Sequence, residues 1–160
     1  IKDKYIYIVT VPTPVNKNKL PDLSLLKKAC KLVGLSIAEN SIVIFESTVY
    51  PGVTEDVCGP ALAAASGLVC GEDFYLGYSP ERVNPGDREH TIERITKVVA
   101  GQNPVVTKKL LDMYGAVTSG NVFEAKDIKT AEAAKVIENA QRDINIAFIN
   151  ETFQALSTAY

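Results

Sequence analysis

Residues 5–11 read Tyr-Ile-Tyr-Ile-Val-Thr-Val, a β-branched and aromatic run with almost no polar alternation, which is the pattern of a strand buried on both faces of a parallel sheet. Pro12-Thr13-Pro14 stops it. From Asp22 the apolar positions Leu23, Leu26, Cys30 and Val33 step by 3, 4 and 3, predicting an amphipathic helix with Asp22 as N-cap and Gly34 as C-cap. The unit repeats, with a second buried strand at residues 41–45 and an alanine-rich second helix from about 54 to 66. A third strand is expected at 74–78, followed by a polar loop over 79–91 in which Pro80, Pro85 and Gly86 interrupt regular structure. A fourth strand at 95–100, a helix over 104–114 with proline in its first turn, and a short strand at 121–124 complete the series. Strands alternating with helices predict parallel βαβ units with right-handed crossovers. There is no internal repeat, low-complexity tract or linker before residue 125.

Residues 127–160 contain no Gly and no Pro, which predicts one long helix. At about 100° per residue, Ile137, Ala140, Ile144 and Phe148 form one stripe, and Ile146, Ile149, Phe153 and Leu156 a second stripe roughly opposite. Earlier in the helix that second side is polar, because Lys135 and Asn139 are four apart and share it with Glu132. The helix is therefore expected to pack on the sheet, present polar groups to a cleft, and farther on bury a second surface.

The chain has 160 residues, 17 Lys plus Arg against 19 Asp plus Glu, and a net charge of −2, with 46% hydrophobic and 22% charged residues. A chain of that size buries roughly two thirds of its unfolded surface and needs no disulfide or metal to hold its core. The near-neutral balance and the lack of a Lys/Arg cluster argue against nucleic acid or an anionic membrane as partner. Cys30, Cys58 and Cys70 have no C-x-x-C spacing and are odd in number, which reads as buried reduced thiols. With His90 as the single histidine, no metal site is expected. No apolar run approaches the roughly 20 residues of a membrane span, and the first residues carry no signal-peptide pattern, so a cytoplasmic location is expected.

In parallel α/β sheets, ligands bind outside the carboxyl ends of the strands. Three such ends are chemically loaded here: residues 10–14, residues 46–52 (Glu-Ser-Thr-Val-Tyr-Pro-Gly) and residues 79–86 (Ser-Pro-Glu-Arg-Val-Asn-Pro-Gly). Each has a bland reading as well. Ser and Thr after a strand commonly cap the next helix, Glu81 and Arg82 read as a solvated turn pair, and Lys135 with Asn139 as an exposed helix face. Their coincidence at one edge of one sheet raises the functional reading. No G-x-G-x-x-G stands at the first strand-to-helix turn, so no phosphate cradle is encoded, and there is no P-loop, H-E-x-x-H or G-x-S-x-G.

Thr10-Val-Pro-Thr-Pro14, then Glu46 to Gly52, then Gly77 to Gly86, then the stretch from Ala134 to Glu151 containing Gln-Arg-Asp-Ile-Asn, together resemble the UDP-glucose/GDP-mannose dehydrogenase family. Four separated motifs appear in order over nearly the whole chain. Within the family the third and fourth are most similar to the UDP-N-acetylhexosamine 6-dehydrogenases of bacterial surface-polysaccharide synthesis.

The resemblance implies an α/β fold, a parallel-sheet, Rossmann-like half domain followed by a long α-helix. Residues 1–125 would be the second half of an NAD-binding domain, and 126–160 the start of the central helix that packs in a homodimer. The Gly-rich half and the nucleophilic cysteine would lie outside this chain, which alone is expected to be inactive. The substrate would be a UDP-N-acetylhexosamine or UDP-glucose, oxidised at C6 from alcohol to carboxylate in two steps with two NAD, through a thioester on cysteine. Carried over by residue, Thr48 would hold a water, Lys135 and Asn139 would donate to the oxyanion, and Glu81 would assist water attack on the thioester. Thr13, Ser47, Thr48 and Glu46 would meet the nicotinamide and its ribose. One departure stands out, since the family's second glutamate, four residues after Glu81, is Pro85 here and cannot act as a base. None of the three cysteines matches the catalytic one. Two other readings are a non-catalytic assembly or binding domain, and a Rossmann dehydrogenase of the 6-phosphogluconate type.

Overall fold

The computed structural model describes residues 5–81 and 96–159. Five strands, β1 (Ile6–Val9), β2 (Ile42–Phe45), β3 (Tyr75–Tyr78), β4 (Lys97–Gly101) and β5 (Val122–Glu124), form one sheet in the order β1-β2-β3-β4-β5. The helices are α1 (Ser24–Gly34), α2 (Gly59–Ser66) with a π-helical lead-in at Val53–Cys58, α3 (Pro104–Val117) and α4 (Ile128–Ala159). Arg82 to Gly86, His90 and Ile95, which figure in the sequence reading, lie outside the described residues.

Alternation along the strands sorts the core onto two faces. Val43, Phe45, Leu76, Tyr78 and Val98 pack under α1, α2 and the first turns of α4, while Ile42, Ile44 and Val99 pack under Val106, Leu110 and Tyr114 of α3. β2 has both faces fully buried, as its unbroken apolar run predicts. β1 does not. At the end of the strand order, Tyr7 and Val9 are buried but Ile8 is 48% exposed, because the α3-side cluster reaches only as far as Ile6 on that face.

The expectation of an all-parallel sheet is corrected at one pairing, beyond which both remaining strands run the other way. β1, β2 and β3 run parallel, but β4 is antiparallel to β3, with Gly77 opposite Gly101 and Tyr78 opposite Ala100, and β5 is parallel to β4. A parallel neighbour needs a crossover, usually helical, and the sequence between β3 and β4 carries no helical periodicity. The apolar run of β4 misled because it reports burial on both faces, which Val98, Val99 and Ala100 do have, and says nothing of direction.

Two helix boundaries differ from the pattern for local reasons. Asp22 does accept the amide of Ser24 at 2.9 Å, but α1 starts at Ser24, with Leu23 in the capping position. Gly34 is not a left-handed cap. It is the last residue of α1, where α2 passes so close that a Cβ would lie 2.6 Å from that of Ala65.

In α4, Asp127 caps the first turn by accepting the Thr130 amide at 2.7 Å. The helix packs on the sheet side through Ile128, Ala131 and Glu132, not through the stripe from Ile137, which is 66% exposed. From Asn139 to Thr158 every residue is exposed, so both apolar stripes are uncovered in the single chain. No described helix is long and apolar enough to cross a membrane.

Candidate active site at the carboxyl ends of the strands

The exits of β1 and β2 are laced together by hydroxyls. Ser47 is buried and donates to the Val11 carbonyl at 2.6 Å, Thr13 donates to the Thr48 carbonyl, and the Tyr78 phenol donates to the Ser47 carbonyl at 3.2 Å. Of the hydroxyls predicted here, Thr48 alone is exposed and has no side-chain partner among the described residues. Ser47 and Thr13 thus hold the two loops in place, and Thr48 presents a free hydroxyl from that frame.

Glu46 stands apart, on the opposite face of the sheet. Its carboxylate pairs with Lys97 at 3.2 Å and accepts the Tyr114 phenol at 2.5 Å, and Lys97 also sits 5.2 Å from the Tyr114 ring centre. Burial first, and then Glu46, hold the Tyr114 phenol well above its ordinary value. Burial, reinforced by the charge of Glu132, does the same to Tyr78.

At the exit of β3, the buried Ser79 hydroxyl donates to the Val98 carbonyl at 2.8 Å, the Pro80 carbonyl accepts Lys97 Nζ at 3.4 Å, and Glu81 is exposed. The side chain of Lys135 is only 11% exposed; it lies 3.9 Å from Glu138 and lines, with Pro80, Val98 and Ala134, a cleft of about 130 Å³. Lys135 is therefore brought to the strand end that carries Glu81. Asn139 is not in that cleft. One turn farther out, it is exposed in a shallow groove with Arg142 and Asp143.

Glu132 is the residue that the helix-face reading misplaced. It does not line a cleft. It is fully buried, and its two carboxylate oxygens accept the amides of Gly52 at 2.5 Å and Thr54 at 2.9 Å. The positive φ of Gly52, +97°, turns the chain into the helix, whose start has no side-chain cap of its own. That lack was the available signal, since helix-start amides need an acceptor from somewhere. A carboxylate at the positive end of the helix is favoured by the dipole as well. The contact spans 80 residues and pins α4, hence Lys135, to the loop that carries Thr48.

Cys30 and Cys58 are fully buried free thiols and Cys70 is half-buried. The hydrogen bond shared with Cys30, and then burial, push the Cys58 thiol up. A thiol so held is not poised as a nucleophile. Among the described residues no three His, Cys, Asp or Glu side chains group to hold a metal ion.

These strand ends fit the nicotinamide end of NAD and not its pyrophosphate. Thr48 supplies an unengaged hydroxyl on a rigid frame, whereas the helix-start amides after β2, which could receive a phosphate, are already taken by Glu132.

Known proteins resemble this chain in sequence and fold. The profile of the UDP-glucose/GDP-mannose dehydrogenase family, NAD binding domain, covers residues 1–118. The chain is 55% identical over 151 residues to Protein CapL of Staphylococcus aureus, covering 94% of this chain and 36% of that protein. It is 50% identical over 151 residues to the UDP-N-acetyl-D-glucosamine 6-dehydrogenase of Salmonella typhi, with the same coverage of 94% and 36%. The solved UDP-D-ManNAc dehydrogenase of Pyrococcus horikoshii superposes with a TM-score of 0.85 at 34% identity, over 94% of this chain and 35% of that one. The chain thus spans about a third of the length of these relatives. It belongs to the UDP-glucose/GDP-mannose dehydrogenase family, whose NAD binding domain matches residues 1–118.

Proposed function

We propose that this chain is part of an NAD-dependent UDP-sugar 6-dehydrogenase that oxidises the C6 alcohol of a UDP-N-acetylhexosamine to the uronate, for surface-polysaccharide precursors. The carrying observation is that Lys135, on α4, meets Pro80 at the exit of β3, while Glu132 pins the same helix to the Thr48 loop. The sugar assignment is supported by the 50% identity to the Salmonella typhi enzyme. On this reading residues 1–125 are the second half of the NAD domain and 126–160 begin a helix on which two copies pair through the uncovered stripes. The setting is cytoplasmic, where nucleotide sugars are the substrates.

Bound NAD supplies the acceptor for hydride at each oxidation. The chain's own residues do the rest. The Thr48 hydroxyl holds a water near the reacting carbon, and Ser47 and Thr13 keep its loop rigid. The Lys135 ammonium, shielded from solvent, donates to the oxyanion that develops at C6, with Asn139 as a second donor once the sugar closes the cleft. Such a donor is stronger in a desolvated site than in water, and loss of one typically costs about 10² to 10³ in rate. Glu81 takes a proton from the water that attacks the thioester. Glu46, committed to Lys97 and Tyr114, reaches the nicotinamide ribose only through its remaining oxygen.

The test is the full-length enzyme carrying this segment, assayed for NADH at 340 nm with UDP-GlcNAc, UDP-GalNAc and UDP-glucose. Two NADH per UDP-N-acetylhexosamine are expected, and Lys135→Ala should lower kcat by about 10² or more with little change in NAD affinity. No NADH with any of these sugars, or a Lys135→Ala defect confined to NAD affinity, overturns the reading.

A further inference from the structure

Lys97 opens β4, and nothing in the sequence pattern gives it a role. Because β4 runs antiparallel to β3, its first residue lies at the carboxyl end of the sheet, and continuing the β3–β4 register outward brings Lys97 level with Glu81. Its side chain is 14% exposed. The ammonium meets three elements at once, namely Glu46 at the end of β2, the Pro80 carbonyl after β3, and the face of Tyr114 on α3. An ammonium has three donors on a compact charge, which suits it to bridge groups from separate segments.

The two acceptors depend on it unequally. Without Lys97, Glu46 would keep the Tyr114 phenol at 2.5 Å. The Pro80 carbonyl would lose Lys97, its only partner among the described residues. Ser79 stays fixed by its amide to Phe45 and its hydroxyl to Val98. The first anchor lost is therefore the one just before Glu81.

We propose that Lys97 is a positioning residue for thioester hydrolysis: by clamping the Pro80 carbonyl to the Glu46–Tyr114 pair, it sets the Glu81 carboxylate where it can take the proton of the attacking water. This rests on the function proposed above, in which Glu81 has that role. In the step concerned, the water oxygen bonds to the acyl carbon, the carbon–sulfur bond breaks with its electron pair leaving on sulfur, and a water proton passes to Glu81. The two oxidations precede it and use Lys135, which approaches Pro80 from the opposite face of the sheet. Loss of Lys97 should thus spare hydride transfer and slow hydrolysis.

The experiment compares Lys97→Met and Lys97→Arg with wild type in the full-length enzyme, by rapid-mixing detection of NADH and by intact-mass spectrometry. For Lys97→Met we expect a burst of about two NADH per active site at close to the wild-type rate, then a steady state slowed about tenfold or more, as a carboxylate misplaced by about 1 Å requires. An acyl adduct should accumulate. Lys97→Arg, which keeps charge and donors, should recover at least about a third of the steady-state rate. A burst amplitude that falls in step with the steady state indicates inactive protein rather than misplacement and overturns the proposal, as does a burst rate slowed by the same factor or a steady state left unchanged. If Lys97→Met does not fold, Lys97→Gln carries the same expectations. Failure of the wild-type enzyme to make NADH is a different result and falls on the proposed function.

Discussion

Replacing Glu132 should loosen the joint between α4 and the Thr48 loop more than any other single change there. The carboxylate is fully buried and has no ion-pair partner among the described residues, so its charge is met by the amides of Gly52 and Thr54. Hydrogen bonds to a charged group contribute roughly 1.5–3 kcal/mol each, so the pair amounts to about 3–6 kcal/mol against leaving both amides unmet. Glu132→Ala incurs that loss together with a cavity. Glu132→Gln keeps the shape and one acceptor but turns an amide group toward the other backbone N–H, and should cost about 2–4 kcal/mol. Urea unfolding of the 160-residue chain, followed by far-ultraviolet circular dichroism, reads the global loss. Hydrogen exchange of the Gly52 and Thr54 amides reads the local one, and should accelerate in both variants while α3 amides change only by the global amount. A Glu132→Gln loss below about 1 kcal/mol, or unaltered exchange at residues 52 and 54, would refute the cap.

Calorimetry on the 160-residue chain should find no micromolar affinity for NAD, because the helix-start amides are occupied by Glu132 and no Gly-rich turn is present; micromolar binding would sink that argument. Sedimentation of the same chain should show self-association that Ile149→Glu with Phe153→Glu abolishes, since these side chains are 62% and 72% exposed; an oligomer that survives both places the contact elsewhere. Stability should fall in alkali, because Tyr78 and Tyr114 are held above their ordinary 10.0 by burial. Groups raised in this way contribute stability that is intact below the unfolded value and lost as pH rises beyond it. Absorbance at 295 nm should show these two phenols ionising only with unfolding, and Phe replacements at both positions should flatten the alkaline loss.

Much of the architecture was legible because periodicity is local. The run at 41–45 and the proline-led segment from 104 each specify an element by their own burial pattern, and both formed within a few residues of the expected ends. That Thr48 and Glu81 stand at strand exits followed from a general rule about strand ends, not from any contact visible in the sequence. Direction and partnership were another matter. A strand buried on both faces has the same pattern whichever way it runs, so the reversal of β4 was invisible, and with it the arrival of Lys97 beside Pro80 and Glu46. Glu132 looked like one more polar residue on a cleft-facing side, because helical spacing reports which residues share a side and not what that side meets. Its acceptors' partners lie 80 and 78 residues away, a proximity that exists only after the sheet has formed and α4 has crossed it. Burial is a property each residue's chemistry announces; the identity of the group it is buried against depends on the path of the whole chain, and tertiary structure alone decided it.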